Sequence, residues 1–285
     1  MSICLILEGG GTRGAYTAGV LDVLTENNIF CQTIYGVSAG ACNALSYISK
    51  QSKRNYEIFT KYACDKRYMS FSSLLKTGSL FGFEFIFGEL ADKLLPFDYG
   101  EFFKSSMNIF AGATDCETGK AVFFDKKDME DDFKPLIASS SLPMVTNIVD
   151  FRGKYLLDGG VVAPIPIDYA IKDGFEKSIV VLTRENEYRK KKSDVPKMAL
   201  KMKYREYPEL VKAMINRADV YNSEKELCYF EQEKGNAFVI EPSQPVTIGR
   251  YCTKPDKLEE LYHLGVTDTK NKLADLRRFI ALNSL

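Results

Sequence analysis

The pentapeptide Gly36-Val37-Ser38-Ala39-Gly40 constrains this chain more than any other stretch of its sequence. It matches the pattern G-x-S-x-G and lies between an apolar run at 31–35 and a run rich in small residues at 39–49. The apolar run predicts a strand, and the run that follows predicts a helix. At a sharp turn from strand to helix, a serine presents its hydroxyl away from the backbone, and flanking glycines let the turn close. The motif therefore predicts an α/β fold with Ser38 as a nucleophile.

A glycine-rich loop follows the first apolar run, Ile3 to Leu7. Its sequence, Gly9-Gly10-Gly11-Thr12-Arg13-Gly14, also matches the G-x-G-x-x-G pattern of dinucleotide-binding turns. A dinucleotide site needs a carboxylate at the end of the second strand, whereas here that strand ends in Gly36-Val37-Ser38. A P-loop would need Gly-Lys-Ser/Thr, which the loop lacks. We therefore favour a nest of backbone N–H groups that faces an oxyanion beside Ser38 over a plain strand-to-helix turn.

The order of the predicted elements is typical of an α/β protein. Continuous apolar strands such as Ile3 to Leu7 are expected in a parallel sheet that is buried on both faces. The first two predicted strands should be neighbours, with both loops leaving their carboxyl ends. The pattern predicts strands at 3–7, 31–35, 107–114, 121–124, 145–149, 154–157, 178–183 and 237–241, and helices at 15–27, 39–49, 131–139, 165–172, 197–234 and 255–285.

A serine nucleophile needs a general base, and the chain contains one histidine, His263. The order Ser38, Asp158, His263 would match the triad of the α/β-hydrolases. However, His263 lies two residues before Gly265, so we predict that it occupies the last turn of a helix that this glycine ends. A histidine is stabilised there by the helix dipole, and a catalytic role is not needed to explain it.

Asp158 is the better candidate for the general base. It follows the apolar strand end Tyr155-Leu156-Leu157 and precedes Gly159 and Gly160. Two glycines let the backbone bring a short carboxylate close to another loop. The alternative is an ordinary Asp-Gly-Gly turn, since both residue types are common in turns.

Composition excludes several classes of function. Lys and Arg together number 38, as do Asp and Glu, so no net field attracts nucleic acid. The cluster Arg189-Lys190-Lys191-Lys192 is predicted to lie on a solvated face, and the less favoured alternative is a role at an anionic lipid surface. The seven cysteines are scattered and there is one histidine, so a structural zinc site is not predicted. No apolar run approaches the ~18 residues of a spanning helix, which favours a soluble cytoplasmic protein.

Residues 68–99 concentrate large apolar side chains between glycines. One interpretation is an irregular excursion that packs on the core. The other is an apolar wall or cover for a hydrophobic substrate near the site. Periodicity does not separate the two. The residues concerned are Met69, Phe71, Leu74, Leu75, Leu80, Phe81, Phe83, Phe85, Ile86 and Phe87.

Taken together, the glycine loop, the serine pentapeptide and Asp158-Gly159-Gly160 resemble the motifs of the patatin-like phospholipases in type, order and rough spacing. The resemblance covers about residues 3–184. It implies a three-layer α/β/α fold with a mostly parallel central sheet. It also implies that the serine-rich stretch Ala138–Pro143 is a structural element, so its serines are not nucleophile candidates.

The same resemblance implies a catalytic Ser–Asp dyad instead of a triad. Ser38 would be the nucleophile and Asp158 its general base, with no metal or cofactor required. The implied oxyanion hole consists of amides of the glycine loop, namely those of Gly10, Gly11 and, as a third, Thr12, with Arg13 holding the loop.

The character of the sequence changes after Arg184, where charged residues dominate and glycine becomes rare. We predict a boundary near 186–193 that separates an acyl hydrolase domain, residues 1–188, from a mainly helical domain, residues 189–285. The later part resembles the appended domain of a bacterial subgroup of the family. The resemblance implies no role for it.

The sequence as a whole predicts a serine acyl hydrolase of the lipase or phospholipase type that cleaves lipid carboxylic esters through an acyl-enzyme. Its predicted partners are a lipid or phospholipid ester and, from that substrate class, the surface of a membrane. Two alternatives stay open: a catalytically weak lipid-binding or regulatory protein that uses the same pocket, and a dinucleotide-binding oxidoreductase.

Overall fold

An eight-stranded sheet forms the centre of the structure, a computed structural model that describes residues 3–192 and 195–283. The strands run in the order β5-β6-β3-β2-β1-β7-β8, and β4 pairs with β3 beside this path. Their bounds are β1 (Ile3–Leu7), β2 (Thr33–Val37), β3 (Asn108–Asp115), β4 (Ala121–Phe124), β5 (Val149–Phe151), β6 (Lys154–Asp158), β7 (Lys177–Val181) and β8 (Ala237–Ile240).

The sheet is mostly parallel, as predicted. The pairs β1–β2, β1–β7, β2–β3 and β7–β8 are parallel, whereas β4, β5 and β6 form antiparallel pairs. Leu7 lies opposite Gly36 in the register of β1 and β2. The expectation that these strands are neighbours is therefore confirmed, and the loops that follow them leave the same edge of the sheet.

Helices cover both faces of the sheet. Successive residues of a strand point to opposite faces, and β1 shows this. Leu5 and Leu7 pack with helices at 14–26, 39–48 and 255–283, whereas Cys4 and Ile6 pack with helices at 167–172 and 208–233. The predicted three layers are confirmed. The helices are α1 (Gly14–Glu26), α2 (Ala39–Ile48), α3 (Arg54–Glu57), α4 (Phe71–Thr77), α5 (Tyr99–Lys104), α6 (Lys134–Ser139), α7 (Ile167–Lys172), α8 (Lys197–Lys203), α9 (Pro208–Glu233) and α10 (Pro255–Asn283), with π-helical segments at Ile58–Tyr62 and Phe85–Leu94.

The prediction that Gly265 ends a helix is wrong, because α10 continues to Asn283. Gly265 instead lies where α10 packs against α1. A Cβ atom on Gly265 would come within 2.2 Å of the Tyr16 carbonyl oxygen, and one on Gly19 would come equally close to the Tyr262 carbonyl oxygen. The glycine is thus a residue of close packing between two helices.

Two other element predictions need correction. The strand predicted at 145–149 is wrong except for its last residue, since β5 begins at Val149. Thr146 Oγ1 donates to the Leu142 carbonyl oxygen instead, within a turn. The helix predicted at 197–234 is interrupted before Pro208, which begins α9 at a position where proline is favoured. Residues 284–285 of the predicted last helix lie outside the described residues.

The later part of the chain contributes to the central sheet. β8 pairs with β7, α9 lies on one face and α10 on the other. The division at residue 188 stays a prediction, and residue 193 of the predicted boundary lies outside the described residues. Within the described ranges, the structure has no helix whose length and apolarity would let it cross a bilayer.

Candidate active site

The serine pentapeptide forms a tight turn between β2 and α2. Ser38 has φ 54° and ψ −127°, a strained conformation that is typical of a nucleophile at such a turn. The flanking glycines allow this geometry. A Cβ atom on Gly36 would lie 2.8 Å from the Ala41 Cα atom, and one on Gly40 would lie 2.5 Å from the Leu7 carbonyl oxygen. Larger residues do not fit at these two positions, so the two glycines are what allow the chain to form the predicted elbow.

The Ser139 side chain holds the backbone of the elbow in place. Its hydroxyl accepts a hydrogen bond from the Ser38 N–H at 2.8 Å and donates to the Gly112 carbonyl oxygen at 2.6 Å. Ser139 is fully buried, and Ser38 is 7% exposed. This agrees with the structural role expected for the serine-rich stretch.

Asp158 ends β6 and lies almost fully buried, with 1% of its surface exposed. Its Oδ1 atom accepts a hydrogen bond from the Gly160 N–H at 2.7 Å. A Cβ atom on Gly159 would lie 2.2 Å from the Gly112 carbonyl oxygen, so the first glycine permits β6 to end close against β3. Asp158-Gly159-Gly160 is thus a turn, and it holds the carboxylate in a buried position.

The structure brings Ser38 and Asp158 together. Both line a small cavity of about 350 Å³ together with Gly9, Gly10 and Gly11. Burial raises the pKa of the Asp158 carboxyl, while Arg217, the Ser38 hydroxyl and the Gly160 N–H oppose this by favouring the ionised form. The Oδ2 atom has no partner at hydrogen-bond geometry among the described residues. Ser38 is therefore adjacent to the carboxylate without a well-formed hydrogen bond to it.

The glycine loop offers two free amides. The Gly9 N–H donates to the Pro164 carbonyl oxygen at 3.2 Å, and the Thr12 N–H donates to the Arg250 carbonyl oxygen at 3.0 Å. The N–H groups of Gly10 and Gly11 donate to no acceptor among the described residues. The expectation that Thr12 supplies a third oxyanion donor is thus corrected, because its amide is already engaged.

A second, larger cavity of about 990 Å³ also reaches Ser38. Its wall is mostly apolar and includes much of the aromatic stretch predicted at 68–99. This favours the interpretation of that stretch as a substrate wall over a purely structural excursion. The members of the stretch that line the cavity are Tyr68, Phe81, Phe83, Ile86, Phe87, Leu90, Ala91, Phe97 and Tyr99.

His263 lies away from both cavities. Its side chain is 62% exposed on α10, and its Nε2 atom is 3.8 Å from Glu259 Oε1. It lines neither the small nor the large cavity. The geometry agrees with the expectation that this residue has no catalytic role, although the helix does not end beside it.

Sequence reasoning missed four residues that line the small cavity: Lys190, Arg217, Tyr221 and Arg250. Lys190 was expected on a solvated face, yet it is half-buried and its ammonium lies 4.5 Å from the centroid of the Tyr221 ring. No local pattern marks these positions, because they come from three separated segments of the chain.

Comparison with known proteins identifies two regions. A family model described as patatin-like phospholipase matches residues 5–171. A second model, described as a domain of unknown function (DUF6363), matches residues 207–281. The glycine loop, Ser38 and Asp158 therefore lie in the first region, whereas Arg217 and Arg250 lie in the second.

Several individual proteins are similar to this chain. The uncharacterized protein YjjU of Escherichia coli is 26% identical over 64% of this chain and 52% of its own length. The probable lipid hydrolase 463L of Invertebrate iridescent virus 6 is 27% identical over 67% of each chain. Lysophospholipase NTE1 of Candida albicans is 28% identical over 63% of this chain and 13% of its own length. The first relative is thus matched over about half of its length.

A solved structure, VipD from Legionella pneumophila, is distantly similar. It shares 13% identity with this chain at a TM-score of 0.44, over 96% of this chain and 67% of its own.

Proposed function

Because the chain belongs to the patatin-like phospholipase family, we propose that it is an acyl hydrolase that cleaves lipid carboxylic esters with Ser38 and Asp158. One observation supports this above the others. Ser38 borders a large apolar cavity on one side and shares a small polar cavity with a buried carboxylate and two free amides on the other. An ester needs both environments, since its acyl chain is apolar and its carbonyl becomes an oxyanion.

The reaction begins when the Ser38 Oγ atom attacks the carbonyl carbon while the Oδ2 atom of Asp158 takes the hydroxyl proton. The tetrahedral oxyanion accepts hydrogen bonds from the Gly10 and Gly11 amides. Collapse of the tetrahedral intermediate breaks the ester bond, and the departing alkoxide takes the proton from Asp158. Water then attacks the acyl-enzyme, with Asp158 again accepting a proton, and the fatty acid leaves as Ser38 regains its hydrogen.

Burial improves Asp158 as a base. A carboxylate with a raised pKa binds a proton more strongly, and general-base catalysis is most effective when the pKa approaches the working pH. Each amide of an oxyanion hole contributes roughly 3–4 kcal/mol to transition-state stabilisation in comparable enzymes. The two loop amides and the base together account for catalysis without a histidine.

We also propose peripheral contact with a membrane through the exposed apolar residues Phe71, Leu75, Met198 and Met202, which we call the apolar patch. Their exposed fractions are 79%, 88%, 69% and 73%. The patch residues lie on α4 and α8, which both contact the segment 144–147: Asn147 donates to the Thr77 carbonyl oxygen and Lys203 to the Met144 carbonyl oxygen. Exposed apolar side chains with flanking lysines are suited to an anionic lipid surface.

A fluorophosphonate probe tests the function directly. We expect stoichiometric covalent labelling of Ser38 in the full chain, loss of labelling in Ser38→Ala, and retention in His263→Ala. Hydrolysis of a soluble short-chain ester should follow the same pattern. A folded wild-type chain that binds lipid but neither reacts with the probe nor hydrolyses esters would establish a binding protein instead. Nucleotide-dependent heat in a calorimetric titration would favour the oxidoreductase.

A further inference from the structure

The small cavity beside Ser38 is strongly cationic. Four basic side chains line it, those of Arg13, Lys190, Arg217 and Arg250. None of them forms an ion pair with a carboxylate within the described parts of the chain. The carboxylates that act on the group are Asp158, which lines the cavity, and Glu8 behind it. Positive charge therefore exceeds negative charge around this cavity, although basic and acidic residues are equal in number over the whole chain.

Two donors in this cavity are buried without a well-formed hydrogen bond. Arg13 is 9% exposed and its Nε atom has no hydrogen-bond acceptor in the described structure. The hydroxyl of Tyr221 is 2% exposed and faces the Glu8 carboxylate; burial and this carboxylate raise its pKa, but the two groups do not reach hydrogen-bond geometry. Nearly all buried donors in folded proteins are hydrogen-bonded, so the unpaired Arg13 Nε atom needs an explanation. An anionic acceptor within the cavity would satisfy it.

Crowding of the cations adds a second argument. Burial, followed by the guanidinium groups of Arg217 and Arg250, lowers the pKa of Lys190 to about 7. Burial and Arg250 lower the pKa of Arg217 to about 10. Like charges that outnumber the nearby carboxylates disfavour their own protonation. A bound anion would remove this repulsion, so the cluster is arranged for a ligand with more than one acceptor oxygen.

The position of the cluster identifies the ligand. Ser38, Gly11 and Leu142 border both the small cavity and the large apolar one. An ester at Ser38 with its acyl chain in the apolar cavity would direct its alcohol part towards the cations. Guanidinium groups match phosphate oxygens in geometry and charge. We infer that the cavity binds the phosphate of a lipid head group, so that the protein prefers phosphate-bearing lipid esters to neutral ones.

This inference rests on the proposed function. It also assigns a role in substrate binding to the later part of the chain. Lys190, Arg217 and Arg250 all lie outside residues 5–171, and two of them lie within the region of unknown function at 207–281. Only Arg13 comes from the motif region. Recognition of the head group would thus depend on a part of the chain that does not contain the nucleophile.

The cleanest variant is Lys190→Gln. The backbone N–H and carbonyl of Lys190 both bind the Asn222 side chain, so the segment keeps its anchor when the ammonium is removed. The matched control is Lys191→Gln, which removes the same charge from an exposed neighbour. Lysophosphatidic acid and a monoacylglycerol with the same acyl chain are compared in neutral detergent micelles. The measured quantity is the ratio of their kcat/KM values.

We expect a wild-type ratio well above one that falls about tenfold or more in Lys190→Gln, the effect of losing one charge-assisted contact. Lys191→Gln should keep the wild-type ratio. Equal ratios in all three proteins, with both lipids hydrolysed, would overturn the inference and leave the hydrolase proposal intact. Failure to hydrolyse either lipid or to label Ser38 would instead refute the hydrolase proposal.

A binding measurement tests for the phosphate site whether or not the lipids are hydrolysed. Calorimetry with Ser38→Ala should show glycerol 3-phosphate binding more tightly than inorganic phosphate, and binding should weaken when Lys190→Gln is added. Tighter binding of inorganic phosphate, without a preference between the lipids, would indicate a free phosphate ligand and refute the head-group assignment. No heat from either compound would refute the anion site altogether.

Discussion

Replacing Asp158 with asparagine separates the chemical role of the carboxylate from its structural one. The amide side chain is nearly isosteric with the carboxylate, and its oxygen could still accept the Gly160 N–H that now donates to Oδ1 at 2.7 Å. The bond from the Asp158 N–H to the Ser141 carbonyl oxygen involves only backbone and is unaffected. The substitution therefore removes the proton acceptor beside Ser38 while preserving the contacts that end β6.

The expected loss of activity is large. General-base catalysis contributes about 10²–10⁴-fold in rate, and His263 offers Ser38 no second base, since it lines neither cavity. We therefore expect kcat for a soluble ester to fall by about 10³-fold or more in Asp158→Asn. Ser38→Ala should fall at least as far, and the double variant should be no worse than either, because the two residues act as one unit.

The same substitution should stabilise the fold at neutral pH. Burial raises the pKa of Asp158 above its ordinary value of 3.8, so the folded state binds this proton more tightly than the unfolded state. Above the folded pKa, the ionised carboxylate destabilises the wild-type fold, and asparagine removes that cost. As pH falls through the folded pKa towards 3.8, the wild type becomes protonated and the advantage of the variant disappears.

Both effects can be measured on the same samples. Ester hydrolysis gives the rate, and thermal unfolding between about pH 4 and pH 8 gives the stability difference, with circular dichroism to establish that the variant is folded. A folded Asp158→Asn that keeps most of its turnover would show that another group takes the Ser38 proton. A variant less stable than wild type at the alkaline end of this range would show that the carboxylate is held by favourable contacts and not strained by burial.

Other single changes test the rest of the site and the fold. His263→Ala should keep ester hydrolysis within about twofold, since exposed substitutions rarely exceed ~0.5 kcal/mol. Phe71→Ser combined with Leu75→Ser should weaken sedimentation with anionic vesicles by about tenfold or more, without changing hydrolysis of a soluble ester. Gly265→Ala should lower the free energy of unfolding by about 1–3 kcal/mol, because the added Cβ atom would lie 2.2 Å from a carbonyl oxygen of α1. Gly88→Ala is the control, since a Cβ atom there has no neighbour within 4 Å.

The sequence predicts those parts of the fold that depend on neighbouring residues. The strand from Ile3 to Leu7 is a continuous apolar run, and the elbow at Ser38 is fixed by glycines on either side of it. The residues that define each feature are contiguous in sequence, so the pattern of residues contains the information. Asp158 could be predicted for the same reason, because the apolar strand before it and the glycines after it are adjacent in sequence.

Features that depend on distant contacts could not be predicted in this way. Gly265 has the sequence context of a helix end, yet its role is set by Tyr16 on a helix that begins far earlier in the chain. Lys190 belongs to a run of charges that is typical of a solvated surface, and only the fold brings it beside Arg217 and Arg250. The motif pattern predicts a nucleophile and says nothing about the group that would bind the head of the substrate.

The later segment also affects the oxyanion loop itself, independently of any head group. The Arg250 carbonyl oxygen accepts the Thr12 N–H at 3.0 Å, and the Cys252 N–H donates to Thr12 Oγ1 at the same distance. Gly11 adopts φ +59°, and a Cβ atom there would lie 2.4 Å from that same Arg250 oxygen. Glycine adopts this left-handed φ without strain, and the close Arg250 carbonyl leaves no room for a larger residue at position 11. The free amides of Gly10 and Gly11 are therefore oriented by residues from both ends of the chain, and the nucleophile motif alone does not make the site.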